Sequence, residues 1–220
     1  KIDIFVVSGK GHKMLSLKLV DSPGAIDNAI RRAFAEQLNV KMKLISRKLE
    51  GLAMKSVAMW IQSQPEMLAL IGGRGSLAAQ FGLPAGSGAA AAQAIIGSVM
   101  MATSIQFRPI TNSLMGGIDI NFQPNDFRNL LNLPEGFVRD YPEGHWLNLL
   151  LNMGMSTIIT GYRFKAGFGG RSGGGIMTPG SSWRVPPQYA GTPGNNFVTR
   201  AFANREKEIT SLFQRVFAMI

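Results

Sequence analysis

The stretch from Ala25 to about Gln62 constrains the fold more than any other. Its apolar residues Ile26, Ile30, Phe34, Leu38, Met42, Ile45, Leu49, Leu52 and Trp60 recur mostly three or four positions apart. That is the spacing of one face of an α-helix. Asp21 or Ser22 precedes it as an N-cap, and Pro23 falls in the first turn, where its missing N–H does no harm. At roughly 1.5 Å of rise per residue the helix would span about 55 Å, long for a compact chain of 220 residues. Gly51 is the expected site of a bend or break, because an interior glycine is a poor helix former. The opposite face is read as basic, with Arg31, Lys43, Arg47, Lys48 and Lys55. A long helix with one apolar and one basic face points to packing within an assembly.

Shorter elements surround it. Ile2–Val7 and Met14–Val20 alternate apolar residues with others and read as two strands joined by a hairpin loop at SGKGHK. A short helix is expected from Gln64-Pro65 to Ile71, another in SLAAQFGL, and an Ala-rich one from about Ala89 to Met101. Thr103–Ile110 and Gly117–Phe122 read as paired strands around a turn. PNDFRNLLNL and HWLNLLLNMG read as short helices, the second closed by Gly154. Ser156–Lys165 reads as one strand, GIMTPGSSWRV as a hairpin around TPGS, and PPQYAGTPGNN as an extended connection with few backbone partners of its own. Asn196–Ile220 carries Val198, Phe202, Ile209, Leu212, Val216 and Ile220 as the stripe of one amphipathic helix. Phe197 is expected to anchor that helix to the sheet. The fold class is therefore α+β: an antiparallel sheet packed by a long N-terminal helix and a C-terminal amphipathic helix. The domain reading is residues 1–62 as hairpin and long helix, followed without a break by an α+β domain at 63–220.

Composition narrows the chemistry. The chain has no cysteine, so disulfides, thiolate metal sites and a cysteine nucleophile are excluded. A formal charge of +10 favours acidic partners such as nucleic acid, anionic lipid or an acidic protein surface. Gly75 to Phe107 holds no charged residue, yet Gln80, Pro84, Gln93 and many small residues interrupt it. A helix packed closely against protein fits that stretch better than a membrane span, which needs about 20 mainly apolar residues. The opening KIDIFVVSGKGHK is not expected to act as a signal peptide, because its apolar run is too short.

Tests for catalysis return structural readings. His12 and His145 have no HxxxH or HExxH partner, so surface or capping roles are expected. Asp126 reads as a helix N-cap, Glu135, Asp140 and Glu143 lie in Pro/Gly turns, and Asp119 completes the middle group of carboxylates. Gly73, Gly75 and Ala78, and again Gly86, Gly88 and Ala91, have GxGxxA spacing, but neither follows a clear strand within a βαβ unit. No cofactor, metal or catalytic residue is assigned. The loop Ala166–Gly175 holds six glycines around Arg171; it can fold onto a neighbour or present the arginine to phosphate.

The end of the chain, GGGIMTPGSSWRVPPQYAGTPGNNFVTRAFANREKEITSLF, resembles the C-terminal part of tailed-bacteriophage neck and tail-completion proteins, the head–tail connector subunits. The shared pattern is a strand pair, a Pro/Gly-rich extended segment, and a phenylalanine leading into a terminal helix. Trp183, Pro186, Pro187, Tyr189, Gly191, Phe197 and Ala201 carry it here. RGSLAAQFGLP and GGIDINFQPNDFRNLLNLPEGFV are similar to segments of virion proteins of contractile-tailed phages. The resemblance covers about the last 120 residues; the long basic helix and N-terminal hairpin depart from the smallest members. It implies a structural, non-enzymatic virion protein assembled in the host cytoplasm. It also implies a hexameric or dodecameric homo-oligomer forming a ring around the DNA passage, with neck, connector or tail proteins as neighbours. Trp183, Pro186, Pro187, Tyr189 and Phe197 are the interface candidates on this reading. Arg47, Lys48, Lys55 and Arg171 are the candidates for non-specific DNA contact. The alternatives are a basic DNA-binding or packaging-associated phage protein, a tail-tube or baseplate subunit, and, with no support from the residues, a nuclease or wall hydrolase.

Overall fold

The computed structural model describes residues 2–9, 12–19, 21–124, 126–138 and 144–219, with side chains described from residue 21 onward. Strands β1 (Ile2–Gly9) and β2 (His12–Leu19) pair antiparallel in the register Ile2 to Leu19 through Gly9 to His12. Lys10 and Gly11 of the expected hairpin loop, and the His12 side chain, lie outside the described residues. Helix α1 (Pro23–Gln62) follows. Ser22 caps it: its hydroxyl accepts the Ala25 N–H at 3.2 Å, and its carbonyl accepts the Ile26 N–H. Gly51 does not break it. Leu49 and Ala53 on either side are buried, and packing of that kind outweighs the roughly 1 kcal/mol that one interior glycine costs.

The chain forms two compact units. The first runs to Arg47 and includes Gln106–Asp119. There the Asn39 side chain acts as a strand partner. Its Nδ2 donates to the Ile110 carbonyl at 3.0 Å, and its Oδ1 accepts the Ile110 N–H at 2.6 Å. Both backbone groups of Ile110 are thereby satisfied without a sheet neighbour.

The second unit comprises Lys48–Ile105 and Ile120–Met219. Its helices are α2 (Pro65–Ile71), α3 (Leu77–Gln80) and α4 (Ser87–Ala102). Gly88 sets how closely α2 and α4 approach. A Cβ there would stand 2.2 Å from the Leu70 carbonyl oxygen and 2.8 Å from Ala78 Cβ. The second GxGxxA string is thus a packing device, with Gly86 left-handed at the helix cap. Ala91, Ala92, Ile95, Ile96 and Val99 bury the inner face of α4. Strands β3 (Ser104–Arg108) and β4 (Gly117–Asn121) form a pair of their own. Two short helices, α5 (Arg128–Leu131) and α6 (Trp146–Leu151), complete the middle of the chain. Trp146 is buried, and its indole N–H donates to the Glu135 carbonyl at 2.8 Å.

The later segments depart from the sequence expectations in four places. The strand expected at 156–165 is broken by Gly161 at φ +78° into β5 (Thr157–Ile159) and β6 (Tyr162–Ala166). The hairpin around TPGS does not form. Strand β7 (Gly175–Pro179) pairs back onto β6, and β8 (Trp183–Arg184) pairs with β5. At Gly175 a Cβ would collide with the Phe164 ring at 2.3 Å, so only glycine lets β7 start against β6. Among the described residues the strands therefore form four separate two-stranded pairs, within a helix-dominated α+β fold. Nor is PPQYAGTPGNN short of partners. Pro187–Tyr189 makes a 3₁₀ turn, and Gly191 lies so close to α6 that its N–H bonds the Leu149 carbonyl. Finally, the terminal helix is two helices, α7 (Phe197–Phe202) and α8 (Glu206–Ala218). Ala203 turns extended and Asn204 takes φ +58° between them, a left-handed conformation that asparagine tolerates better than most residues.

Buried Asn196 starts α7. Its side chain accepts the N–H groups of Val198 and Thr199, and donates to the carbonyls of Leu151 and Thr192. Thr199 answers with its own hydroxyl to the Asn196 N–H, completing a capping box. Phe197, one position on, is fully buried in the core of this unit. Phe197→Ala should therefore lower unfolding free energy by about 3–5 kcal/mol, read from urea denaturation. A change near zero would show that the ring is not packed.

Candidate functional site

Helix α1 has two apolar faces where the sequence reading saw one. At about 100° per residue, Leu38, Met42, Ile45, Leu49 and Trp60 share one narrow sector, and all are buried or half-buried. Ile30, Val40 and Leu44 fall in a different sector and stand 63%, 62% and 46% exposed, while Phe34, 54% exposed, lies between the two sectors. The stripe from Ile26 to Trp60 drifts between these sectors because its spacings average more than 3.6. The outward sector groups exposed apolar residues on the first half of the helix, with Gln37 and Lys41 among them, and exposed apolar groups of this kind mark interaction sites.

The basic residues are also placed differently. Lys41, Lys48 and Lys55, seven apart, share the outward sector with Ile30 and Leu44 instead of opposing it. Arg47 borders it. All four are exposed, and none pairs with a carboxylate among the described residues. The outward face is thus apolar towards its start and basic towards its end. Val40 and Leu44 belong to a second series in the sequence, Ile26, Ile30, Ala33, Gln37, Val40 and Leu44, which the stripe from Ile26 to Trp60 crosses.

Arg171 is held within the fold. Its Nε and Nη2 both donate to the Gly82 carbonyl, at 3.0 and 2.7 Å. The glycine loop is also fixed at Gly174, where a Cβ would meet Ala79 Cβ at 2.6 Å. At its other end Phe168, 85% exposed, lies under the Arg74 guanidinium at 4.8 Å. Of the five interface candidates, Trp183 and Phe197 are buried, with Trp183 edge-on to Phe81 at 5.8 Å. Pro186 and Tyr189 are half-buried and Pro187 is exposed.

The second unit carries a groove of about 800 Å³ lined by Ile120, Phe122, Phe127, Pro193, Val198 and Phe202 among others. No charged side chain lines it among the described residues. Beside it, Phe122, Phe202 and Trp60 form an aromatic cluster with centroids 5.1 to 6.1 Å apart. The Trp60 indole N–H donates to Glu208 at 2.6 Å. The Arg205 hydrogen bond, helped by that of Trp60, holds the Glu208 carboxyl below its ordinary value.

The middle carboxylates do not converge among the described residues. Asp119 pairs with Arg108 at 2.6 Å. Asp126 accepts the Arg128 N–H at 3.2 Å and pairs with that side chain. Glu135 is exposed, and Asp140 and Glu143 lie outside the described residues. No group of three or more acidic or histidine side chains stands ready to hold a metal among the described residues. A half-buried ion pair is not visible in the sequence: Glu66, 1% exposed at its side chain, receives a hydrogen bond from Arg200, 36% exposed, across 134 positions. No helix among the described residues is long and apolar enough to cross a membrane.

His145 does not cap α6 through its side chain. Its ring stacks on Phe137 with centroids 4.2 Å apart, and its Nε2 is buried without a hydrogen-bond partner among the described residues. Burial lowers its pKa below 6.5. The unfolded chain therefore binds the proton more readily, so the stabilisation from a neutral His145 is present above pH 6.5 and lost as pH falls toward the folded value. In His145→Phe, which keeps an aromatic ring for the stack, the urea midpoint should fall less than in the parent between roughly pH 7 and pH 5. Equal falls would show that His145 is not the source.

Comparison with family models, characterised proteins and solved structures gives no match to this chain.

Proposed function

We propose that the chain is a structural subunit of a tailed-bacteriophage particle. It acts by assembling with copies of itself into a ring at the head–tail junction, around the DNA passage. The observation that carries the assembly part is the outward face of α1, where Ile30, Phe34, Val40 and Leu44 are exposed among the described residues. A monomer that exposes such a face gains by burying it against another protein surface, at about 25 cal/mol per Å² of apolar area. The placement in a phage neck or tail rests on the resemblance carried by residues 173–213. Lys41, Lys48 and Lys55 beside these apolar residues, with the net charge of +10, suit non-specific contact with DNA phosphates.

A second reading is a DNA-binding or packaging-associated protein that works as a monomer. The lysine series on α1 favours it. The two readings separate on mass and salt dependence. The expected result is a concentration-dependent oligomer of the purified protein, closing to a ring by electron microscopy alone or with neck and tail proteins present. A chain that stays monomeric under both conditions, and binds duplex DNA tightly with strong salt dependence, would overturn the proposal in favour of the second reading.

A further inference from the structure

The outward face of α1 repeats every seven residues. Ile26, Ile30, Ala33, Gln37, Val40, Leu44 and Arg47 alternate four and three apart, the spacing of a seam between two packed helices. All but Ile26 are exposed. Asp27, Phe34, Lys41 and Lys48 run along one flank; Ala29, Glu36, Lys43 and Glu50 run along the other. The two acids nearest the start, Asp27 and Glu36, and the lysines at 41, 43 and 48 make this face asymmetric in charge along its length.

That asymmetry selects an occupant. We infer that the face is covered by the same helix of a second copy, lying antiparallel across a two-fold axis that passes between Leu38 and Asn39. This rests on the assembly reading above and names its partner surface. In this register Asp27 meets Lys48 of the second copy, and Glu36 meets Lys43 of the second copy. Phe34 receives the aliphatic stem of Lys41 of the second copy. Ala33 takes Leu44 of the second copy, and Gln37 takes Val40 of the second copy. Each contact occurs twice, because a two-fold interface is the same patch seen from both sides. A parallel alignment would instead set Lys43 against Lys48 of the second copy, like against like. Asp27 and Glu36 already bond Arg31 and Arg32 on their own helix, but at 58% and 66% exposure both keep accessible oxygens. The lysines have no carboxylate partner within the subunit among the described residues. A two-fold contact pairs copies and does not close a ring; ring closure in the assembly reading needs a separate head-to-tail contact elsewhere on the subunit.

The absence of native cysteine makes thiol cross-linking clean. Ala33→Cys and Leu44→Cys are prepared separately, mixed and oxidised. The expected product is a disulfide-linked dimer containing one of each. Neither variant alone should cross-link, because like residues lie eleven positions apart along the paired helices, about 16 Å, beyond the reach of about 7 Å for a disulfide. Cross-linking of like with like, or no mixed product while the protein is oligomeric by mass, would overturn the antiparallel pairing and leave the assembly reading standing. A parent chain that is monomeric alone and with neck and tail proteins would overturn both. As a second variant, Val40→Asp combined with Leu44→Asp, which face Gln37 and Ala33 of the second copy, should weaken self-association by about tenfold or more with an unchanged melting temperature. Unchanged association in that variant also contradicts the pairing.

Discussion

A 40-residue helix with two apolar sectors sets the problem that the rest of the chain answers only in part. The inward sector, with Ile45, Leu49 and Trp60, is covered by the subunit. The outward sector, with Ile30, Val40 and Leu44, and Phe34 at its border are exposed among the described residues. Helix propensity alone does not hold such an element; burial of an apolar face does. The exposed half of α1 is therefore stabilised least where its surface is most apolar, and a covering surface from outside would supply what the chain lacks.

The second unit shows how the last part of α1 is secured. Trp60 packs edge-on against Phe122 and Phe202, while its indole N–H reaches Glu208 of α8. Glu66 at the start of α2 is fully buried and is tied to Arg200 of α7. One of its oxygens has no partner among the described residues. A pair with one buried partner is weak evidence for stability, but removing the arginine would leave the buried carboxylate uncompensated. The pair fixes where α7 must sit. Asn196 does the same through the backbone, with its amide reaching Leu151 of α6. Around these polar ties the glycines at 88 and 191 allow backbone to touch backbone, at Leu70 and Leu150 respectively.

Much of this was legible in the residues. The position of α1, the Ala-rich α4, the β3–β4 pair and the α+β class follow from periodicity and turn residues. What was not legible depended on tertiary choices. The single stripe assigned to α1 mixed two sectors, because three-and-four spacing fits a drifting line as well as a fixed face. The terminal helix looked continuous because Asn204 gives only a weak stop, whereas its left-handed backbone is decisive. The TPGS turn was a sound hairpin signal, but the Gly175–Phe164 fit and the pairing of β8 with β5 overrode it. Trp183 and Phe197 were singled out as contact residues and prove to be core. Nothing in the sequence tied Glu66 to Arg200.

The central claim is that the outward face of α1 is covered in the working form of the protein. Hydroxyl-radical footprinting read by mass spectrometry tests it directly, at protein concentrations below and above the onset of association. Ile30, Phe34, Val40 and Leu44 should lose reactivity on association, while Met101, 87% exposed, serves as the reference within the same sample. Equal reactivity of the four residues in monomer and oligomer, against an unchanged Met101, would contradict the account.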